Sequence, residues 1–260
     1  MKSSLIISTY NWPEALTLVL KSAMNQSALP DEIIIADDGS TKETKLLIQD
    51  FFADISLPIY HIWHEDNGFR KAAILNKAIE KAQYDYIIQV DGDCIMHPHF
   101  IKDHLASAQL GTYLFGARVN IQQSKLEALF QKQLVEFSFF DRGIKKRFRS
   151  VYLPFLNRLD KRKHNVSPKF RGCNCSYWRQ DAININGYNE DFKGWGREDS
   201  EFIIRLHNNG ILGKRLKFNG IVHHIFHPEK SHNRLEINGS IEDESVRNKV
   251  TICQNGIKKQ

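Results

Sequence analysis

Cysteine is scarce in this sequence, and the glycine-rich loops of the commonest nucleotide-binding folds are absent. The four cysteines form no Cys-x-x-Cys pair and are too sparse for a disulfide scaffold, which indicates a reducing compartment. No Gly-x-Gly-x-x-Gly follows the first apolar stretch, and no Gly-x-x-x-x-Gly-Lys occurs anywhere. The sequence therefore argues against a dinucleotide-dependent oxidoreductase and against a P-loop enzyme.

Long apolar runs, internal repeats and flexible linkers are also missing. Because there is no run of about 18 apolar residues, no membrane-spanning helix is predicted. The apolar stretch at the start is interrupted by Asn11, Pro13 and Glu14, too early for a secretory signal, so we expect a cytoplasmic protein. A chain of 260 residues with 42% hydrophobic residues is long enough for one large domain with a sizeable core.

Acidic residues are nearly absent from residues 142–163, which we call the basic segment. It contains nine lysines or arginines and one acid, Asp160, so it carries more positive charge than the net +6 of the whole chain. A surface helix or loop whose apolar residues pack inward explains this pattern as well as attachment to an anionic membrane does. Because no recognition fold for RNA or DNA accompanies it, nucleic-acid binding is not expected. The apolar residues among the cations are Phe148, Val151, Tyr152, Leu153, Phe155, Leu156 and Leu159.

Buried-strand patterns alternate with helix patterns through the first 90 residues. Strands separated by helices of about ten to fifteen residues predict parallel βαβ units. Such sheets bind ligands at the carboxyl ends of their strands, where this sequence places its polar clusters. The predicted strands are 3–8, 32–36, 58–63 and 86–90, and the predicted helices are 13–25, 42–52 and 70–82.

The fourth predicted strand ends by presenting two carboxylates one residue apart, Asp91 and Asp93. Gly92 lets the chain turn between them, so both carboxylates can face one crevice. Carboxylate oxygens are ligands that Mg²⁺ and Mn²⁺ prefer, and water or phosphate oxygens fill the remaining positions. An Asp-x-Asp triplet is common, however, and on its own more often marks a polar turn than a metal site.

The second half of the sequence carries another cluster of small, aromatic and acidic residues. Residues 171–176 are typical of a strand whose small side chains let a ligand approach the backbone. Two glycines flank Trp195 in a loop that can stack a flat aromatic face on a sugar ring. Glu198 and Asp199 then begin a helix through His207, whose N-terminus favours ionised carboxylates. A helix cap beside a core tryptophan is an equally good explanation of this loop.

Taken in order, these motifs resemble those of the inverting glycosyltransferases of family 2, which have the GT-A fold. The similarity extends along most of the chain, except for residues 122–169, where no family motif is matched. The last motif also resembles the carboxyl-terminal motif of β-1,4-galactosyltransferases and of bacterial chondroitin-type polymerases. The matching segments are Ser8-Thr9-Tyr10-Asn11, Asp37-Asp38-Gly39-Ser40, Asn76-Lys77-Ala78, Asp91-Gly92-Asp93 and Gly194-Trp195-Gly196-Arg197-Glu198-Asp199.

The resemblance implies an α/β fold of the GT-A (Rossmann-like) type, with a mixed, mainly parallel sheet flanked by helices. We expect one domain in which residues 1–110 bind the nucleotide-sugar and residues 111–260 bind the acceptor and carry the catalytic groups, with a basic excursion at about 142–168. The implied function is metal-dependent, inverting transfer of a hexose or N-acetylhexosamine from a UDP-sugar to a glycan or lipid-linked acceptor, in surface polysaccharide synthesis. The alternative is a non-catalytic sugar- or nucleotide-binding module of the same fold.

On the donor side, the resemblance implies that Tyr10 and Asp38 line the nucleotide pocket, with Asp38 accepting a hydrogen bond from uracil or ribose. Asp37 either contributes to that pocket or only shapes the turn. Arg70 is expected near the diphosphate, and Asp91 near the ribose or the water shell of the metal.

For the metal, Mn²⁺ or Mg²⁺, the resemblance implies ligands from Asp93, from Asp91 and from a later histidine. His224 matches that histidine best and His227 is the second choice. A histidine in a polar cluster is as often a hydrogen-bonded structural residue as a metal ligand.

For catalysis, the resemblance implies that Asp199 is the base and that Glu198 holds an acceptor hydroxyl. In a single displacement, one carboxylate removes the proton of that hydroxyl on one face of the sugar while the metal stabilises the departing diphosphate on the other. Adjacent carboxylates also raise the pKa of one member of the pair. Asn174 and Trp195 are the expected sugar contacts.

Overall fold

Eleven strands form two sheets in the part of the chain that the structure describes, a computed structural model of residues 1–159, 161–228 and 233–259. The predicted strands of the first half are confirmed, each within one residue at either end. The strands are β1 (Ser3–Thr9), β2 (Glu32–Asp37), β3 (Ile59–Trp63), β4 (Tyr86–Asp91), β5 (Cys94–Met96), β6 (Thr112–Phe115), β7 (Ala117–Ile121), β8 (Ile144–Lys145), β9 (Asn174–Trp178), β10 (Leu212–Arg215) and β11 (Ile221–His224).

Helices connect the strands and cover both faces of the larger sheet. Pro13 occupies the first helical position, where its missing N–H is no loss and its fixed φ suits the helix. The helix predicted to begin at Glu198 does begin there. The α-helices are α1 (Pro13–Met24), α2 (Lys42–Phe52), α3 (Lys71–Lys81), α4 (Phe100–Ser107), α5 (Leu126–Gln131), α6 (Arg179–Asn184), α7 (Glu198–Asn208) and α8 (Leu235–Arg247).

The larger sheet has seven strands in the order β10-β6-β9-β4-β1-β2-β3. Only β9 runs antiparallel to its neighbours, β4 and β6, whereas the other neighbouring strands run parallel. The predicted mixed, mainly parallel α/β fold is therefore confirmed. Because β9 comes from the second half of the chain and lies between two strands of the first 115 residues, the two predicted halves share one sheet.

Alternate residues of the central strands fill two cores, one on each face of the sheet. In β1, Leu5 and Ile7 belong to one core and Ile6 to the other, because successive side chains of a strand point to opposite faces. All three are fully buried, and burial of each such side chain stabilises the fold by about 1.5–3 kcal/mol. This double burial makes β1 an unbroken apolar run between two serines and a polar carboxyl end, as a central parallel strand requires.

A smaller sheet, in the order β5-β11-β7-β8, lies beyond the carboxyl end of β4. Its β5 pairs antiparallel with β11, and this register sets His224 opposite Cys94. The amide of Ile225 also donates to the carbonyl of Asp93 (2.8 Å). The smaller sheet thereby brings the histidines of the carboxyl-terminal part to the Asp91-Gly92-Asp93 turn.

The basic segment is irregular and not one continuous surface helix. It forms short 3₁₀ turns at Arg147–Ser150 and Pro154–Leu159, and Lys146 before them has a left-handed φ of 61°. Phe148 and Phe155 are 77% and 64% exposed, so its apolar residues do not all pack inward. Asp160, the acid of this segment, lies outside the described residues. Among the described residues, no helix combines the length and the apolar character needed to cross a bilayer.

Candidate active site

The turn after β2 holds its two aspartates in different surroundings. Asp37 is fully buried; one of its oxygens accepts a hydrogen bond from a backbone amide of the turn (2.8 Å) and the other contacts His61 Nε2 (2.8 Å). Asp38 contacts His64 Nε2 (2.7 Å) and accepts a hydrogen bond from the Arg70 amide (2.9 Å). Both oxygens of each aspartate are engaged inside the protein, so the roles of Asp37 and Asp38 toward a nucleotide stay predictions.

Tyr10 and Arg70 lie on either side of this turn. Tyr10 is 43% exposed and its hydroxyl donates to Asp66 (2.9 Å), which leaves a ring face open to a stacking partner. The guanidinium of Arg70 donates to the carbonyl of Glu65, so its side chain is turned along its own loop. The roles of both residues toward a nucleotide stay predictions.

Asp91 ends β4 in an ion pair that the sequence analysis did not foresee. Its carboxylate accepts hydrogen bonds from Lys71 Nζ (2.8 Å) and from the Ser8 hydroxyl (2.7 Å). Burial by itself raises the pKa of Asp91, but the attraction of the Lys71 ammonium outweighs it, and the pKa lies below its ordinary value. Asp91 is therefore ionised at neutral pH.

Asp93 lies with two histidines in a cluster that could hold a metal ion. Its Oδ2 is 3.5 Å from His224 Nε2 and 3.4 Å from His227 Nε2, and one ligand atom from each residue lies within 4.8 Å of the others. Burial lowers the pKa of His224, which leaves a neutral ring with a free lone pair. Both histidines considered from the sequence belong to this cluster, whereas Asp91 does not.

Glu198 and Asp199 open helix α7 beside the backbone of Gly172. The Gly172 amide donates to Asp199 Oδ2 (3.0 Å), and a Cβ at position 172 would lie only 2.1 Å from Asp199 Oδ1. A glycine is thus required for the carboxylate to seat there. Asp199 Oδ1 is buried and has no hydrogen-bond partner among the described residues. An unsatisfied buried acceptor is costly in a folded protein and calls for an explanation in terms of function.

Burial reverses the effect that the helix N-terminus alone would have on these acids. Burial, followed by repulsion from Asp199, raises the pKa of Glu198 to about 8. Burial also raises the pKa of Asp199, although Lys71 and the Gly172 amide partly oppose it. The favourable helix dipole expected from the sequence is therefore outweighed by loss of solvation.

Lys71 ties the two acidic clusters together. Although burial of its ammonium lowers its pKa, the attraction of Asp91, Asp199 and Glu198 raises that pKa well above the ordinary value. Lys71 therefore stays charged, and its field reaches the strand-end acid as well as the helix-start pair. The carboxyl end of β4 and the start of α7 therefore lie close enough for one lysine to act on the acids of both.

The two predicted sugar contacts differ in what they expose. Asn174 is 2% exposed; its amide donates to the carbonyls of Ala117 (3.0 Å) and Gly220 (2.8 Å), and its oxygen lies 3.2 Å from His104 Nε2. Asn174 thus joins β9 to the smaller sheet with no side-chain atom left over. Trp195 is 41% exposed in a loop flanked by two left-handed glycines, where a sugar can reach its ring. Sugar contact by either residue stays a prediction.

Sequence reasoning missed Lys71 and His61. A lysine at the first position of a helix faces the positive end of the helix dipole, so Lys71 is unfavourable there unless nearby carboxylates compensate. A lysine at the start of a predicted helix could therefore have indicated nearby carboxylates. His61 lies inside β3, where nothing in its spacing indicated a bond to Asp37.

Comparisons with known proteins point to the same relationship. Residues 154–229 match the family model described as the N-terminal domain of galactosyltransferase. Chondroitin synthase from Escherichia coli is 29% identical over 223 residues, which cover 80% of this chain and 32% of that protein. The chain thus spans about a third of the length of that relative.

Solved structures agree with the fold. The structure of residues 1–349 of S. aureus TarS in complex with UDP has a TM-score of 0.60 at 19% identity, over 93% of this chain and 64% of that one. GalNAc-T7 with UDP, GalNAc and Mn²⁺ has a TM-score of 0.64 at 17% identity, over 88% of this chain and 44% of that one. These are glycosyltransferases of the GT-A fold, which is therefore the fold of this chain.

Residues 4–183 match the model of glycosyl transferase family 2. The match includes the turn after β2, the Asp91-Gly92-Asp93 turn and the whole of β9. Because this match covers more than half of its length, the chain belongs to glycosyl transferase family 2.

Proposed function

We propose that this chain transfers a hexose or N-acetylhexosamine from a UDP-sugar to a glycan or lipid-linked acceptor, with inversion, in surface polysaccharide synthesis. The observation that carries the proposal is the position of Lys71, charged between the Asp91 carboxylate and the Glu198–Asp199 pair. The strand end that follows the nucleotide-binding turns and the acids that can activate an alcohol thus share one cleft. UDP in the TarS complex and UDP with GalNAc in the GalNAc-T7 complex support a UDP-sugar donor.

The metal in this proposal is held by Asp93, His224 and His227. Two imidazoles and one carboxylate suit Mn²⁺ better than Mg²⁺, which prefers a shell of oxygens. Mn²⁺ in the GalNAc-T7 complex supports this choice. When bound, the ion supplies positive charge that stabilises the departing diphosphate.

Asp199 is the general base and Glu198 its neutral neighbour. With a pKa of about 8, Glu198 keeps its proton at neutral pH and donates a hydrogen bond to the acceptor. Asp199 Oδ1, the oxygen without a partner, accepts the proton of the attacking hydroxyl. The acceptor oxygen then bonds to the anomeric carbon as the bond to the UDP oxygen breaks. Attack on the face opposite the leaving group inverts the configuration.

We also keep the prediction that the basic segment binds the inner face of the cell membrane. Its exposed aromatic residues, Phe148 and Phe155, stand among cations, the combination that inserts into anionic lipid surfaces. Flotation with liposomes checks it: the protein should float with vesicles that contain anionic lipid and stay behind with neutral ones. Equal behaviour with both kinds of vesicle would remove the membrane from the proposal.

The experiment that tests the proposed function is a panel of UDP-sugars assayed for UDP release with Mn²⁺, with Mg²⁺ and with EDTA. We expect release from one or a few UDP-sugars, faster with Mn²⁺ than with Mg²⁺ and abolished by EDTA. The Asp93→Asn variant should lose the metal stimulation, and Asp50→Asn, an exposed acid on α2, should keep it. UDP-sugar binding without UDP release, with every donor and a broad acceptor panel, would favour the non-catalytic module.

A further inference from the structure

A small cavity lined mainly by cations opens beside the proposed base. It has a volume of about 140 Å³ and lies where β7, the end of β10, the basic segment and the residues before β9 meet. Pockets for drug-sized molecules measure about 300–1,000 Å³, so this one is sized for a single group of a larger substrate. Among the residues that the structure describes, no aspartate or glutamate lines it. Its cations are Arg118, Lys146, Arg149, Lys169, Arg171 and Arg215.

Three of these cations, Lys146, Arg149 and Arg171, have no carboxylate partner among the described residues. Arg149 donates to the carbonyl of Arg118 (3.2 Å), and Arg171 donates to the carbonyl of Pro168 (3.0 Å). Neither of them, nor Lys146, forms an ion pair with an acid in the part of the chain that the structure describes. Carbonyl groups orient the guanidinium groups here without neutralising them. The positive charge is therefore available to a ligand.

Holding these cations close together lowers the stability of the folded protein. Burial and repulsion from Arg149, Arg118 and Arg171 lower the pKa of Lys146. Lys146 also has a left-handed backbone, with φ of 61°, which is unfavourable for a residue with a side chain. Repulsion and backbone strain at one lysine point to a function, because an anion in the cavity would relieve the repulsion.

The cavity adjoins the acceptor side of the cleft. Asn174 and Cys173 line it, and the adjoining Gly172 donates its amide to Asp199. The charge of Arg171 lowers the pKa of Asp199, which shows that this guanidinium lies within electrostatic reach of the base. An anion bound here would hold the rest of its molecule next to Asp199.

We propose that this cavity binds an oxyanion, a phosphate or a carboxylate, carried by the acceptor, and that this contact places the neighbouring acceptor hydroxyl at Asp199. The inference rests on the proposed function and adds to it the chemical class of the acceptor. In the proposed function, the metal ion held by Asp93 and two histidines stabilises the donor diphosphate. The cationic cavity lies beside the base and is therefore not needed for the donor. Paired N–H groups of arginine match the oxygens of either anion.

Binding measurements on the full chain test this inference. Inorganic phosphate, glucuronate and neutral glucose are titrated by calorimetry in the presence of saturating UDP and Mn²⁺. We expect phosphate or glucuronate to bind, glucose to bind far more weakly, and the affinity for the anion to fall with added salt. Binding of phosphate alone would assign a phosphate-bearing acceptor, and binding of glucuronate alone a carboxylate-bearing one.

The variant Lys146→Gln/Arg149→Gln should bind the anion at least about tenfold more weakly, because two charged donors are lost. Lys169→Gln, which changes an exposed side chain, should weaken binding in the same direction, and it serves if the double variant folds poorly. The control, Lys45→Gln, removes an exposed charge on α2, which connects β2 and β3 at the opposite edge of the sheet, and should bind like the wild type.

Three results would overturn the inference: no anion binding, equal binding by the double variant, or competition between UDP and the anion for the cavity. The last would assign the cations to the donor diphosphate. The proposed function fails by a separate result, the absence of UDP binding and of UDP release from any UDP-sugar. The two failures are therefore distinguishable.

Discussion

Helix α7 carries buried acids of two kinds, one turn apart. Glu201 is fully buried, and its carboxylate accepts two hydrogen bonds from Arg205 (2.6 and 2.8 Å) and one from the Ser245 hydroxyl (3.0 Å). Glu198 is buried and Asp199 half-buried, and neither forms such an ion pair within the described residues; Lys71, whose charge acts on both, is already bonded to Asp91. The same helix thus holds a neutralised acid and an unneutralised pair.

This difference separates residues that hold the fold from residues that do chemistry. A buried carboxylate with a matched guanidinium loses little in the folded state, but breaking the match is costly. Buried carboxylates with raised pKa values cost stability and gain reactivity, the usual exchange at catalytic sites. Substitutions in the first turn should therefore lower activity and spare the fold, and substitutions one turn later should do the opposite.

The largest effect is expected for Asp199→Asn. The amide cannot take the proton of the acceptor hydroxyl, so kcat should fall by about 10²–10⁴-fold, the range that a general base contributes. The affinity for UDP, measured by calorimetry, should stay within a few-fold of the wild type, and the melting temperature should not fall. Asp243→Asn, an exposed acid on α8, is the control and should have normal activity. A kcat for Asp199→Asn near that of the control would mean that another group is the base.

The sequence carried enough information to place the acids but too little to sort them by role. The strands β1, β2 and β4 could be predicted from the sequence. Burial on both faces makes their central residues apolar, and polar residues follow where they end. The start of α7 was readable from its acids and the glycines before it. Glu201 and Arg205 have the i, i+4 spacing of a helix ion pair, but the burial of this pair and the hydrogen bond from Ser245, 44 residues away, depend on tertiary packing that no local pattern reports.

The metal cluster and the cationic cavity mark the same limit. The sequence alone does not decide between His224 and His227 as the metal ligand. Their spacing does not show that β11 pairs with β5 and brings both histidines to Asp93. Arg118 and Arg215, in two different sheets, meet only through tertiary packing. Only the local part of the basic charge, residues 142–163, was visible as a run.

The second largest effect is expected on stability, for Glu201→Gln. This change leaves the buried guanidinium of Arg205 without its counter-charge, so the free energy of unfolding should fall by about 3–5 kcal/mol, as for other broken buried pairs. Urea unfolding followed by circular dichroism measures this. Glu244→Gln, an exposed acid on α8, should change it by less than about 0.5 kcal/mol. A small loss for Glu201→Gln would show that the pair is dispensable and would remove the contrast within α7.

A smaller effect, visible as a shift in pH dependence, is expected for Lys71→Met. The ammonium lowers the pKa of Asp199, so its removal should raise that pKa further. Because the base acts in its ionised form, the acidic limb of the profile of kcat/KM against pH should move to higher pH. Lys77→Met, which changes an exposed residue of α3, should leave the limb in place. An acidic limb at the same pH in Lys71→Met as in the wild type would show that Lys71 does not influence the pKa of the base.

The smallest effect is expected for Glu198→Gln. With a pKa of about 8, Glu198 is neutral at pH 7, so a neutral amide of the same shape should change kcat there by no more than about tenfold. The stability of the variant relative to the wild type should also depend on pH. Between the ordinary pKa of the acid, 4.5, and about 8, the unfolded state of the wild type releases this proton and the folded state keeps it. Folding of the wild type thus loses stability as pH rises, whereas the variant is spared this loss.

The melting temperature of Glu198→Gln relative to the wild type should therefore increase between pH 5 and pH 8, by about 2–4 °C for each kcal/mol recovered. Glu201→Gln should show no such recovery, because the Glu201 side chain is paired with Arg205 in the folded state. A difference in melting temperature that is constant with pH would place the Glu198 carboxylate in the ionised form and give it a charge at neutral pH. Glu198 would then resemble Glu201, and the first turn of α7 would have to find its counter-charge in the substrate or the metal.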